Sequence, residues 1–142
     1  MKVKVYKNLH RNCYSIMAAE GQHKGLVIAH ASTVDLVNCQ FSVSEPGRQR
    51  VISEGKKNVH AFVIGQLWTA EIITLRYGVR IKARAWRKWP DDLVVPISYN
   101  PFKSSHFVRR DNGRPVSHAI GVRLSKAPAQ PMLAYGALDV CP

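Results

Sequence analysis

Carboxylates are what this chain has least of. Its 142 residues hold nine Asp and Glu against 21 Lys and Arg, a formal charge of +12 with histidine neutral. Paired-carboxylate and two-metal chemistry therefore has little to draw on: the acids are scattered, and Asp91 and Asp92 point apart in an extended chain. Cysteine is scarce too. Cys13, Cys39 and Cys141 form an odd set with no disulfide framework, which points to a reducing compartment. No apolar run approaches the roughly 20 residues that span a bilayer, and the cations of the first seven residues are not followed by the apolar core of a signal peptide. A cytoplasmic protein with no membrane partner is expected. Walker, Gly-x-Gly-x-x-Gly and Gly-x-Ser-x-Gly motifs are absent, so no nucleotide cofactor is implied. The His10-x-x-Cys13 pair with His23, His30 and Cys39 matches no zinc spacing, and no metal ligand is assigned.

What the chain does have is positive charge gathered in places. Leu75 to Trp89 holds six cations and no acid. As an extended strand it puts Arg76, Arg80, Lys82, Arg84 and Trp86 on one face and Tyr77, Val79, Ile81, Ala83 and Ala85 on the other, with Arg87 and Lys88 following. Half-buried strands often carry Lys and Arg on the wet side, and edge strands use charge to repel other edges. A solvated face usually mixes signs, however, and this one does not. Cations about 6.5 to 7 Å apart along a strand can track phosphates, while Trp86, Trp89 or Tyr77 can stack on unpaired bases.

A second basic cluster accompanies a helix expected over 45–54. Ser44 is a suitable N-cap, Pro46 fits the first turn and Gly55 the left-handed stop. The helix carries Arg48 and Arg50, and Lys56 and Lys57 follow its end, where the helix dipole favours cations in any case.

Alternating patterns place strands over 2–9, 13–18 and 58–65, the last apolar enough to be buried on both faces. The stretch 26–43 reads as two strands broken at Ala31-Ser32-Thr33. Asp111-Asn112-Gly113-Arg114 signals a hairpin with a two-residue loop, which sets Phe107 opposite His118 and Arg109 opposite Val116. The fold class is α+β, a mostly antiparallel sheet or small barrel with one short helix, over residues 1–125, followed by a Pro/Ala-rich C-terminal tail over 126–142.

Metal-free phosphodiester cleavage needs two acid–base groups and a cation; His60, His118 and Lys57, with Tyr99 as a donor, are the candidates. A histidine in an apolar strand is more often a core residue satisfied by one hydrogen bond. The leading expectation is therefore a non-catalytic protein that binds nucleic acid through Arg76 to Lys88, helped by Arg48, Arg50, Lys56 and Lys57. Its rivals are an adaptor or inhibitor docking on an acidic host protein, and a small histidine-dependent RNase or phosphodiesterase.

Four runs carry a family resemblance: 6–10 (YKNLH), 45–51 (EPGRQRV), 57–63 (KNVHAFV) and 99–102 (YNPF). They resemble small uncharacterised accessory proteins of tailed bacteriophages. The resemblance implies a protein acting in the cytoplasm of an infected bacterium, in host takeover or against host defence.

Overall fold

The computed structural model describes residues 1–55, 59–69, 73–81, 94–125 and 138–140. Its centre is a single 17-residue strand, β3 (Val27–Val43), where the sequence pattern suggests two. Ala31-Ser32-Thr33 stays within the strand, although its pairing with Leu138–Val140 shifts register there; a second irregularity falls at Asn38, whose φ of 53° makes a bulge between Val37 and Gln40. A bulge bends a strand without ending it.

The bend lets β3 pair with four neighbours. One edge bonds β2 (Cys13–Ala18) through residues 27–31 and then β9 (His118–Ser125) through 33–40; the other edge takes β10 (Leu138–Val140) and then β4 (Ala61–Leu67). Because β1 (Lys2–Asn8) pairs with both β2 and β4, the ring β1–β2–β3–β4 closes into a small antiparallel barrel. The fold is thus α+β, dominated by antiparallel strands. The segment expected to be a tail contributes β10.

Val3, Val5, Ile16, Ile28, Val34, Leu36, Val63, Leu67, Val122 and Leu124 fill the interior. On β4 burial alternates, with Val63, Gly65 and Leu67 inward and Phe62, Ile64 and Gln66 half-buried, so this strand is not covered on both faces as its composition suggests. Gly65 is required where the bulge passes: a Cβ there would meet the Val37 carbonyl at 3.0 Å and Cys39 Sγ at 3.2 Å. Burial pushes the Cys39 thiol up to about 12.

The helix forms where expected. In α1 (Glu45–Glu54) the Ser44 hydroxyl accepts from the Gly47 N–H at 3.4 Å, and Gly55, at φ 65°, donates to the Val51 carbonyl.

Two hairpins correct the sequence reading. Arg76 does not continue a strand: Arg76–Gly78 is a tight 3-10 turn, with Tyr77 at φ 62° and Gly78 at φ 73°, joining the two-residue strands β5 (Ile73–Thr74) and β6 (Arg80–Ile81). The alternation that sets Arg76 beside Arg80 on one strand face therefore fails. Near the C-terminus, β7 (Ile97–Ser98) pairs with β8 (Val108–Arg109), and Val108 bridges Pro115. Phe107 thus faces Val116 through the Val116 N–H to Phe107 carbonyl bond, not His118, and the loop is four residues long. The cause is local. Asp111 is bound to Arg109, the Asn112 side chain accepts from the Arg114 N–H, and only Gly113 takes positive φ.

Candidate functional site

Lys82, Arg84, Trp86, Arg87 and Lys88, with Lys56 and Lys57, lie outside the described residues. The arginines that are described divide into two kinds.

The first kind is neutralised. Asp35, fully buried on β3, receives Arg123 from the opposing position of β9 through two bonds, Nε at 2.6 Å and a terminal nitrogen at 2.7 Å. Arg109 is held by Asp111. Arg48, expected on a binding face, instead clamps the helix to the 99–102 turn: one nitrogen reaches Glu45 at 2.8 Å and Nε donates to the Pro101 carbonyl at 2.8 Å. Arg50 is exposed on the same helix.

The second kind, Arg11, Arg50, Arg76, Arg80, Arg110 and Arg114, is exposed and forms no salt bridge with any carboxylate among the described residues. Arg110 and Lys7 line a cleft of about 290 Å³ together with Asn12, Tyr14, Ser98 and the neutralised Arg123. Lys7 stands directly across from Tyr14, whose hydroxyl is pushed up by burial and drawn back by the charge of Arg110. Around the barrel, Asn8 donates to the Ser15 hydroxyl, which bonds His30 Nδ1 at 2.9 Å. Burial lowers the His30 pKa, and the charges of Arg11 and Arg76 lower it further. The β1–β2 loop and the 76–78 turn therefore bring positive charge to the same part of β3.

That turn holds Tyr77 out. Tyr77 is 59% exposed, its ring stacked on His23 at 5.6 Å between centroids and 15° between planes, and Arg76 and Arg80 are exposed on the same hairpin. A bulky residue at positive φ costs about 1–3 kcal/mol, and such strain is commonly kept where it positions a functional group.

A different surface lies on the far side of Lys7, which lines both. It is a groove of about 360 Å³ formed by Leu9, Val51, Gly55, Val59, His60, Ala61, Tyr99, Pro101 and Phe102. His60 Nε2 and the Tyr99 hydroxyl are 2.7 Å apart, and Tyr99, Phe107 and Phe41 continue inward as a tilted aromatic stack. All four runs quoted above for their resemblance to phage proteins meet here; of the lining residues only Gly55 lies outside them.

The histidine candidates are not brought together. His60 lies under this groove, near Ser44, whose N–H it receives, whereas His118 is exposed beside Gln40 in another groove. Four residues of β3 separate the two, about 13 Å of strand. Among the described residues no three His, Cys, Asp or Glu side chains are grouped to hold a metal, and no helix is long and apolar enough to cross a membrane.

The sequence pattern missed the Tyr77 turn because Tyr-Gly is a weak turn signal beside Asn-Gly. It missed Arg11, Lys7 and Arg110 because only the barrel closure and the 110–113 loop place them.

Comparison with known proteins gives one family. The model described as Mycobacterium phage L5 gene 82 protein matches residues 1–130. The gene 82 protein of Mycobacterium phage L5 is 35% identical over 132 residues, covering 88% of this chain and 90% of the relative. No solved structure matches.

Proposed function

We propose, for a chain that belongs to the Mycobacterium phage L5 gene 82 protein family, that it binds single-stranded nucleic acid in the cytoplasm of the infected host, without catalysis. The observation that carries this reading is the Tyr77 platform: an exposed aromatic residue on a strained turn, backed by His23 and carried on the same hairpin as Arg76 and Arg80, which have no carboxylate partner among the described residues. An aromatic face with cations at its sides is what sequence-tolerant binding of an unpaired strand requires, the ring for a base and the guanidinium groups for phosphates. Arg11, Lys7 and Arg110 extend the positive field toward the 290 Å³ cleft. The expected set Lys82, Arg84, Trp86, Arg87 and Lys88 follows directly in the chain.

Fluorescence anisotropy of a labelled 20-nucleotide dT strand, titrated at several salt concentrations, tests this. Affinity is expected to fall steeply with salt. Tyr77→Ala should weaken binding about tenfold, the equivalent of one lost stacking contact of ~1–3 kcal/mol, with the salt slope unchanged. Absence of binding at low salt, or a Tyr77→Ala protein that binds as the parent does, rejects the proposal.

A further inference from the structure

The groove beyond Lys7 has a different chemistry from the cationic cleft, and nucleic-acid binding does not use it. Among the described residues seven large apolar side chains are exposed, and Leu9, Val59 and Phe102 gather on this one groove at 45%, 46% and 68% exposure. Single exposed apolar residues are ordinary; a concave cluster of them is not. The cluster is also held rigid. The Asn100 side chain accepts from the Phe102 N–H at 2.9 Å, the Asn100 carbonyl accepts from the N–H groups of Lys103 and Ser104, and Arg48 fastens Pro101 to the helix. The backbone that presents Phe102 is thus fixed, which lowers the ordering cost when a partner arrives.

We propose that this groove docks a short acidic segment of a partner protein, one carrying two or so apolar anchor residues flanked by Asp or Glu. Its size and lining suit anchors of that kind, since recognition surfaces place apolar and aromatic groups at the centre and polar groups at the rim. Charge settles the sign of the flanks: among the described residues no acid lines the groove, Lys7 does, Arg50 is exposed on the helix that supplies Val51, and the whole chain carries +12. An unpaired nucleic-acid strand fits less well, because Lys7 is the one lysine or arginine among the described residues that line the groove, and His60 and Tyr99 hydrogen-bond each other across the floor.

The test uses the full chain against a displayed library of random 12-residue peptides, followed by anisotropy with a fluorescent synthetic copy of the most enriched one. The expected result is enrichment of Asp/Glu-rich peptides with paired Leu, Phe or Trp. Phe102→Ser and Val59→Ser should each weaken the synthetic peptide at least tenfold, while Arg76→Ala leaves it unchanged. Both substituted residues are exposed, so unchanged circular dichroism and melting are expected; Leu9→Ser serves in place of either if one fails to fold. No enrichment, enrichment of basic peptides, or binding indifferent to Phe102→Ser overturns the inference. Displacement of the peptide by the dT strand from the parent and the Arg76→Ala variant alike would give the groove to nucleic acid and overturn it as well.

Discussion

The cleft holding Arg110 and the groove holding Phe102 share a wall at Lys7, yet they are built in opposite ways. In the groove the arginine is a structural part: Arg48 gives one terminal nitrogen to Glu45 and its Nε–H to the Pro101 carbonyl, and what is left for a partner is mostly apolar. On the cationic side Arg123 is spent on Asp35 in the same manner, but Arg11, Arg76, Arg80 and Arg110 have no such carboxylate among the described residues. The count of basic residues therefore overstates the available charge. Which guanidinium groups face a phosphate is decided by where the few carboxylates lie.

The most severe way to break the comparison is to release a spent arginine. Asp35→Ala leaves Arg123 without its buried counter-ion and should destabilise the protein by about 3–5 kcal/mol, measured by urea unfolding. Replacing Arg123 by Met as well should recover much of that loss.

Removing available arginines should behave differently. The double variant Arg11→Ala/Arg76→Ala is expected to leave stability within about 0.5 kcal/mol. Its salt slope for the dT strand should be shallower by about 1.4, roughly 0.7 for each lost phosphate contact on a single strand. Peptide binding in the groove should not change. A loss of stability comparable to that of Asp35→Ala would erase the distinction between the two kinds of arginine.

The smallest expected effect lies in the His30 titration. Its pKa is held below the ordinary value by burial first and then by Arg11 and Arg76. A histidine depressed on folding adds stability that is complete above its unfolded pKa of about 6.5 and is lost as pH falls through the folded value. Either arginine-to-alanine change should raise the folded pKa part of the way back, and bound dT strand should do the same by screening both charges. Ring-proton NMR titration reads this directly. An unmoved His30 would mean that the two loops do not share the field placed there.

Local chemistry was legible in the sequence and long-range chemistry was not. The helix could be read end to end because Ser44, Pro46 and Gly55 are each sufficient where they stand. Ala31-Ser32-Thr33 looks like a break between two strands, but in β3 it marks only a register shift against β10, and the positive-φ bulge sits further on, at Asn38, in the pairing with β4. The Asn-Gly signal found the right hairpin and the wrong register, since the side chains of Asp111 and Asn112 cap their own loop. Positive charge around 76–80 was also legible, but its strand geometry was not. The groove could not be read at all: its walls come from runs some 90 residues apart, joined only when the barrel closes.

That one strand serves four partners has a consequence for how the chain reaches its native state. Val27–Val43 emerges early in synthesis, but its last neighbour, Leu138–Val140, is made near the other end. Such distant pairing is slow to form. Until those residues pair, Ala31 to Val34 keep one edge of backbone open, the kind of bare edge on which another chain can template.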